Sequence, residues 1–567
     1  MRDYAVNRRV VFISFIAVVI GAISTVAAKL LLLLINLFTN LFFYQSFTLV
    51  DHAPVGHHLG AWVIVVPALG GLLAGLIARY GSEKIRGHGI PEAMEAILFG
   101  KSRMSPRVAV LKPLSSGIVI GSGGPFGAEG PIIMTGGSLG SLLAQYLHVS
   151  DGERKALLVA GACAGMTAIF GTPIAAILLA VELLLFEFRP RSLLPVGIAC
   201  SVAGFLRLYF FEAGPLFPLH SAPNYTHNFL LFATVGIAIG LFAAFISKSL
   251  HWVEALFDHL PIHWMWWPAL GGLVVGLGGY IAPETMGVGY GLIGDLLNNR
   301  LDISIVLLLV SIKLVIWLVA LGSGTSGGVL APLLIVGSGI GVLIASVFPE
   351  SAPGIWGVVG LSSLLGSVLG TPLTAIVFAF GLTHDTAALL PALLTTFAAW
   401  GTTSILLRRS IMTAKIAKRG LHVYREYCVN PLEGKTVEKL MNRETCALDV
   451  DQTVAQALTL IQKQPHLPAY PVLSKNMLLG TVQPSDLRHA PGGTLLRQVM
   501  KQPPDEHLYA NQPAQAAAMT LARQKMLWLP VLQSEAEPIY VGVLSSMDLL
   551  LPTVVTFEQE LVFEKLR

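Results

Sequence analysis

The glycine-rich stretch GSGGPFGAEGPIIMTGGSLG at Gly121–Gly140 returns in altered form as GSGTSGGVLAPLLIVGSGIG at Gly322–Gly341, and the two align without a gap. At almost the same offset PALGGL at Pro67–Leu72 pairs with PALGGL at Pro268–Leu273, GHG at Gly87–Gly89 with GVG at Gly287–Gly289, Lys112 with Lys313, and GTPIAAI at Gly171–Ile177 with GTPLTAI at Gly370–Ile376. The chain therefore carries one duplicated unit. Apolar segments interrupted by Gly or Pro at matching places in two halves characterise membrane transporters whose substrate site lies near the bilayer midplane, between the repeats. The duplication is imperfect at one telling position: Glu129 pairs with Leu330, so one half alone carries the carboxylate.

Composition fixes the solvent. Of 567 residues 54% are hydrophobic and only 12% charged, against about 25% charged in an ordinary soluble domain. Apolar runs at Val10–Ile23, Ala61–Ala78, Ala156–Leu185, Phe229–Ile246, Ile303–Leu321 and Ile355–Leu382 match a bilayer core that takes about 20 residues per straight helix. The first, preceded by MRDYAVNRR and lacking a small-residue cleavage site, reads as a membrane helix rather than a signal peptide. Basic residues before it (Arg2, Arg8, Arg9) and after the last apolar block (Arg408, Arg409, Lys415, Lys418, Arg419) place both ends in the cytoplasm. Short loops and a compact tail point to a prokaryotic plasma membrane. The net charge of +4 is then topological, and no basic cluster with interleaved aromatics suggests nucleic acid as a partner. Cys163, Cys200, Cys428 and Cys446 lack metal spacing and read as isolated thiols. No HExxH occurs and the apolar portion shows no clustered His or Asp, so an enzyme is not expected.

From residue 421 the composition becomes mixed, giving domains at 1–420, with repeat halves near 9–215 and 228–412, and at 421–567. The second domain is itself duplicated, near 434–490 and 496–555. AYPVLSKNMLLGTVQPSDL at Ala469–Leu487 and LPVLQSEAEPIYVGVLSSMDLL at Leu529–Leu550 both read as strand, turn, strand and a helix opened by Asp, each preceded by an apolar-periodic helix. This β-α-β-β-α pattern resembles a tandem pair of CBS domains. The resemblance implies an adenine nucleotide as the one candidate cofactor, held by Asp486, Ser545 and Asp548. Gln483 stands where the first copy's hydroxyl belongs. A dimerising or docking module without ligand is the alternative.

In hydrocarbon, non-helical backbone is tolerated only where protein or a wet cavity encloses it. The breaks at Gly87–Pro91, Gly121–Pro131 and Gly322–Pro332 therefore predict turns that feed helix N-termini inside the bundle. Such N-termini present unpaired N–H groups and partial positive charge, and Pro suits the first helical turn. Several converging N-termini form an anion site without a full countercharge, and no lysine stands in the loops. Glu129, a carboxylate in an apolar membrane segment, is a functional candidate by default. Ionised, it competes with an anion for the same donors; protonated, it withdraws.

GHGIP at Gly87–Pro91, GAEGP at Gly127–Pro131 and GVLAP at Gly328–Pro332 resemble, in order, the signature motifs of the CLC family of chloride channels and proton–chloride antiporters. The resemblance implies an all-α polytopic membrane domain, an inverted repeat of tilted, broken helices, followed by the soluble α/β CBS pair, in a homodimer with one pore per subunit. It implies that Glu129 is the gating glutamate and that chloride or a similar small anion is bound by His88, Gly89, Ile90, Gly127, Ala128, Gly328, Val329, Leu330 and Met412. Three departures stand out. His88 replaces the usual serine donor, Met412 occupies the place of a frequent tyrosine donor, and Leu183 stands where the family's internal proton-transfer glutamate belongs. Glu182 beside it is a candidate for the proton path, or else a structural acid paired with Arg189 or Arg191. Channel-like conduction is thereby favoured, with proton-coupled exchange as the alternative and transport of another anion or solute as a third reading.

Overall fold

A computed structural model of the chain describes residues 8–221, 229–348, 353–421, 423, 432, 435–443, 447–462, 469–502 and 507–561. Cys428 and Cys446 lie outside the described residues. The chain forms two units, Met1–Glu426 and Tyr427–Arg567.

The first unit is helical and repeats its own order. Its first half runs α1 (Arg9–Tyr44), α2 (Val65–Tyr80), α3 (Ile90–Leu98), α4 (Pro106–Gly121), α5 (Glu129–Gln145), α6 (Asp151–Phe170), α7 (Pro173–Leu179) and α8 (Pro190–Phe210). The second follows as α9 (Phe229–Asp258), α10 (Trp267–Ile281), α11 (Tyr290–Leu297), α12 (Ile303–Gly322), α13 (Leu330–Val347), α14 (Pro353–Leu369), α15 (Pro372–Thr383) and α16 (Leu389–Leu406), and α17 (Ile411–Lys418) closes the unit. Among the described residues seven helices are long and apolar enough to cross a membrane. The apolar runs 156–185 and 355–382 are not single helices. Each breaks at its GTP motif, where Gly171 (φ 70°) and Gly370 (φ 74°) take left-handed backbone and a proline opens the next helix. Lengths vary accordingly: α1, with 36 residues, is about 54 Å long and must tilt in a core of about 30 Å, whereas α11, with 8, covers only about 12 Å and ends within it.

The halves meet about an approximate two-fold axis, visible as reciprocal contacts. The two PALGGL segments cross so closely that a Cβ on Gly71 would stand 2.1 Å from the Pro268 carbonyl oxygen, and one on Gly272 would stand 2.3 Å from that of Pro67. Within each half the same device joins consecutive long helices: a Cβ on Gly136 would stand 2.2 Å from the Gly161 carbonyl oxygen across α5 and α6, and one on Gly337 would stand 2.7 Å from that of Gly360 across α13 and α14. Small residues let helix backbones touch in lipid, where dispersion and close packing must supply what the hydrophobic effect cannot. At its start α6 is closed by a capping box, Ser150 with Glu153, which satisfies two of the helix's orphan N–H groups.

In the second unit two three-stranded sheets repeat one topology. β1 (Leu448–Asp449) pairs parallel with β2 (Tyr470–Ser474), which pairs antiparallel with β3 (Met477–Val482). β4 (Leu508–Tyr509), β5 (Trp528–Leu532) and β6 (Tyr540–Ser545) do the same. The duplication holds, but the boundaries read from sequence cut across the cores. Val437 and Met441 pack in the core of the second copy with Leu508, Leu529 and Leu544, while Leu496 packs in the first with Leu448, Val472 and Val482. Each copy lends its opening helical turn to the other.

Gly272→Val would drive a branched side chain into the Pro67 backbone and is expected to cost about 3 kcal/mol of stability. Gly197→Ala, where the nearest atom to the new methyl is Ile177 Cδ1 at 3.9 Å, is expected to be neutral. Thermal unfolding of both variants in detergent decides the matter, and equal midpoints for the two would contradict the close-crossing account.

Candidate functional site

Three unwound turns converge where the two halves meet. Gly127 and Gly328 form an antiparallel bridge, Gly328 N–H donating to the Gly127 carbonyl at 2.9 Å and Gly127 N–H to that of Gly328 at 3.3 Å. A Cβ on Gly130 would meet the His88 carbonyl at 2.1 Å and Gly328 Cα at 3.1 Å, so the turn before α3 abuts the starts of α5 and α13. Two further bonds cross the axis: Gly87 N–H donates to the Gly324 carbonyl at 3.1 Å and Gly287 N–H to that of Gly123 at 3.0 Å.

The carboxylate of Glu129 lies in this junction, fully buried. Its Oε1 accepts from Ala331 N–H at 2.7 Å, and the residue's own N–H also bonds it. Glu129 thus ties the first turn of its own helix to the first turn of α13, its counterpart in the other half. A carboxylate held by N–H groups at two helix starts is favoured by both the bonds and the helix dipoles. Its Oε2 is buried with no partner among the described residues.

Two buried lysines orient the turns. Lys112 Nζ donates to the carbonyls of Ile85 (2.8 Å) and Gly87 (2.7 Å) and to Ser326 Oγ (2.9 Å). Its repeat partner Lys313 donates to those of Thr285 (2.8 Å) and Gly287 (3.0 Å). The glycine loops hold no lysine, as expected from sequence, yet an ammonium from the neighbouring helix captures carbonyls in each entry turn. Lys112 and Lys313 are visible in sequence as repeat markers; their role is not, because it depends on contacts more than twenty residues away.

The residues assigned from sequence divide. Gly127 and Gly328 are at the centre, but their N–H groups are spent on each other, so they serve by close approach rather than as donors. Ala128 caps α5 and is fully buried, and Val329 caps α13, with Leu330 as its first residue. The donor the structure brings forward is Ala331, one position further on and missed in sequence. Gly89 (φ 87°) caps α3, which Ile90 opens. His88 is buried, and its Nδ1 has no partner among the described residues. It sits at the end of a vestibule of about 560 Å³ also lined by Arg86, Glu92, Ile411, Ala414 and Lys415. The vestibule's charges are largely matched: Lys415 pairs with Glu92 at 2.7 Å, Lys418 with Glu254 at 2.7 Å, and Arg419 with Glu95. Met412 does not line this space; it is fully buried in the apolar core.

Glu182 corrects the sequence reading. It is paired with neither Arg189 nor Arg191; Glu187 takes Lys155 (3.8 Å) and Arg189 (3.9 Å) instead. Glu182 caps α15 of the other half, accepting from Leu373 N–H (3.2 Å), Thr374 N–H (2.8 Å) and Thr374 Oγ1 (2.6 Å). Leu183 is fully buried and offers no acid.

In the second unit Ser545 and Asp548 satisfy each other: Asp548 Oδ2 accepts from Ser545 N–H (2.8 Å) and Oγ (2.7 Å), and Ser545 Oγ accepts from Asp548 N–H (3.2 Å). Asp486 pairs with Lys501 at 2.9 Å, and that ammonium holds its carboxyl below the usual range.

Broken helices from two opposed repeats, starting around one buried carboxylate, define a membrane transport fold built to handle a negative solute. A family model described as voltage gated chloride channel matches residues 70–404, and the chain belongs to that family, the CLC proteins; it is a multi-pass membrane protein of anion transport. A CBS domain model matches residues 437–493. The chain is 29% identical over 345 residues to a putative chloride channel protein ClcB-like of Ralstonia nicotianae, covering 58% of this chain and 80% of that one. It is 29% identical over 366 residues to the H(+)/Cl(−) exchange transporter ClcA of Vibrio campbellii, covering 61% and 77%. A crystal structure of a slow cyanobacterial Cl−/H+ antiporter shares the fold, with TM-score 0.65 and 21% identity over 73% of this chain and 99% of that one.

Replacing Lys112 by Met leaves two buried carbonyls without a donor, at about 1–3 kcal/mol each. Lys313→Met should lower the unfolding temperature comparably, because each lysine holds a pair of turn carbonyls. A loss confined to one of the two variants would show that the clamps are not equivalent.

Proposed function

We propose that this chain exchanges chloride, or an anion of similar size, for protons across the membrane, with Glu129 as the shared gate. The observation that carries the reading is the Glu129 carboxylate seated on the N–H of Ala331 at 2.7 Å, at the junction of two helix starts. One set of donors cannot hold two negative groups at once. An arriving anion must displace the carboxylate, and displacement into an apolar surround favours protonation, since a bare buried charge is costly. Each anion that enters thus favours the uptake of one proton by Glu129. The same competition gives the sign of the pH response: acid neutralises the carboxylate, vacates the donors and speeds anion entry. His88, with its unpaired Nδ1, is the side-chain donor on the vestibule side in place of a hydroxyl, and Val329 and Leu330 supply further backbone N–H groups. Met412, buried away from the vestibule, is left out of this set.

Exchange is preferred to the channel reading because the anion route is closed at a fully buried Glu129 and because the relative from Vibrio campbellii, named an exchanger, is similar over most of its length. One observation favours plain conduction instead: Leu183 provides no inner acid, and Glu182 is engaged as a helix cap. Under exchange, the inner proton step therefore runs without a carboxylate at that position. The setting we infer is a prokaryotic plasma membrane, with both termini cytoplasmic and two chains forming a homodimer. The CBS pair enters as a docking module, since Ser545 and Asp548 bond each other and Gln483 lacks a hydroxyl; an adenine nucleotide would have to displace that mutual bond.

Reconstituted in liposomes under a chloride gradient, the protein is expected to drive protons uphill. Passive anion flux without proton movement would sink the exchange reading and leave conduction. Glu129→Gln should abolish proton movement and flatten the pH dependence while anion flux persists; flux through that variant that still climbs on acidification, as in the parent, would refute the gate.

A further inference from the structure

We infer that the phenol of Tyr290 is the outer hydrogen-bond donor of this pathway, a positioning group that receives a negative atom on the far side of Glu129 from the His88 vestibule. The inference rests on the Glu129 reading above. Tyr290 opens α11 as Ile90 opens α3, and the two residues are repeat partners. Across the two-fold relation the turn before α11 approaches the junction from the side opposite the turn before α3. The first half presents an apolar side chain at this position, and the second presents a hydroxyl.

The ring is held in place by neighbours. Phe170 meets it edge-on at 6.3 Å and 74°, Phe217 at 6.2 Å and 61°, and Phe170 is braced by Phe378 at 4.9 Å and 80°. Buried Tyr hydroxyls usually find a partner, yet Tyr290 Oη is buried and has none among the described residues. A Cβ on Gly289, just before Tyr290, would stand 2.8 Å from Ile335 Cδ1 of α13, one turn beyond the Ala331 that holds Glu129, and Glu129 Oε2 is a buried acceptor without a donor among the described residues. A donor lacking an acceptor and an acceptor lacking a donor, both beside the start of α13, are the two ends this inference joins. A halide between them, or the carboxylate rotated off Ala331, completes it.

The outer boundary is built too. Residues 45–59 hang from the end of α1: Asn40 Nδ2 donates to the carbonyls of Thr48 (2.9 Å) and Val50 (2.8 Å), and Tyr44 Oη to those of Ala53 (2.7 Å) and Val55 (2.8 Å). Pro54 lies over Gly287, 3.4 Å from where a Cβ would stand, and thus over the turn that leads to Tyr290. The charged groups in play are Asp51 of this loop and Glu129 toward Tyr290, and Lys313 toward Glu129.

Tyr290→Phe removes the hydroxyl and keeps the ring between Phe170 and Phe217, so its unfolding temperature should match the parent's. Chloride flux in liposomes is read across a pH series for the parent, Glu129→Ala, Tyr290→Phe and the double variant. A hydrogen bond to a charged group predicts a change on the order of tenfold in rate or in the proton concentration at half-maximal rate. If Tyr290→Phe slows flux with and without the Glu129 side chain, its partner is the arriving anion. If it shifts the pH profile only when Glu129 is present, its partner is the displaced carboxylate. Unchanged rates and profiles in both backgrounds overturn the assignment. Glu129→Ala alone separates the two layers: parent-like flux and pH dependence there defeat the gate reading itself, whereas a clear effect there with none from Tyr290→Phe defeats only the role of Tyr290.

Discussion

The constraint on which this membrane unit depends is that every backbone polar group inside it needs a partner, even where the chain is unwound. Unwinding is what brings helix starts to the middle of the bundle, and it leaves carbonyls as well as N–H groups unpaired. The protein resolves this with polarity. Lys112 and Lys313 draw turn carbonyls to one side, and the glycine bridge absorbs two N–H groups and two carbonyls. Donors remain at the helix starts, where one of them, on Ala331, faces Glu129. Positive potential at the junction therefore comes from peptide groups, reinforced by ammonium groups already engaged elsewhere, and the anion of the proposed function would be attracted there without meeting a free cation that would retain it.

Two-fold geometry explains why a single acid is enough. The repeats supply matched turns, matched lysines and matched glycine crossings, but Leu330 stands in the second half where Glu129 stands in the first. Two carboxylates at one set of donors would repel each other. One carboxylate can sit on the opposite half's helix start, and in the proposed function it is exchanged there for a solute of the same sign. The same asymmetry recurs at the GTP motifs, where Glu182 caps α15 while its repeat partner, Gly381, makes room for Thr172.

Much of this was legible in the chain itself. Near-constant motif spacing revealed the duplication, since aligned glycines and prolines mark where helices must break, and the carboxylate at a Gly-flanked break in an apolar segment singled out Glu129 as a candidate. The C-terminal duplication was equally visible in its alternation of strand and helix. What local pattern could not show were partners brought together by the fold. Ala331 bonds a residue 202 positions earlier, and Glu182 caps a helix 191 or 192 positions later. Both lie across the repeat axis, so neither is encoded in neighbouring residues. The same holds for the Arg189 pairing expected of Glu182, which Glu187 takes because it is the acid that emerges beside Lys155 and Arg189 after the helix ends.

The traded opening turns of the CBS pair have a mechanical consequence. Because Val437 and Met441 complete the core around Leu529, and Leu496 completes the one around Val472, neither half possesses its whole interior. Severing the connection between them would leave two fragments each missing a wall, so the pair is expected to melt as one cooperative body. A pull applied at residue 437, where the first turn begins, is therefore felt first by the copy more distant in sequence.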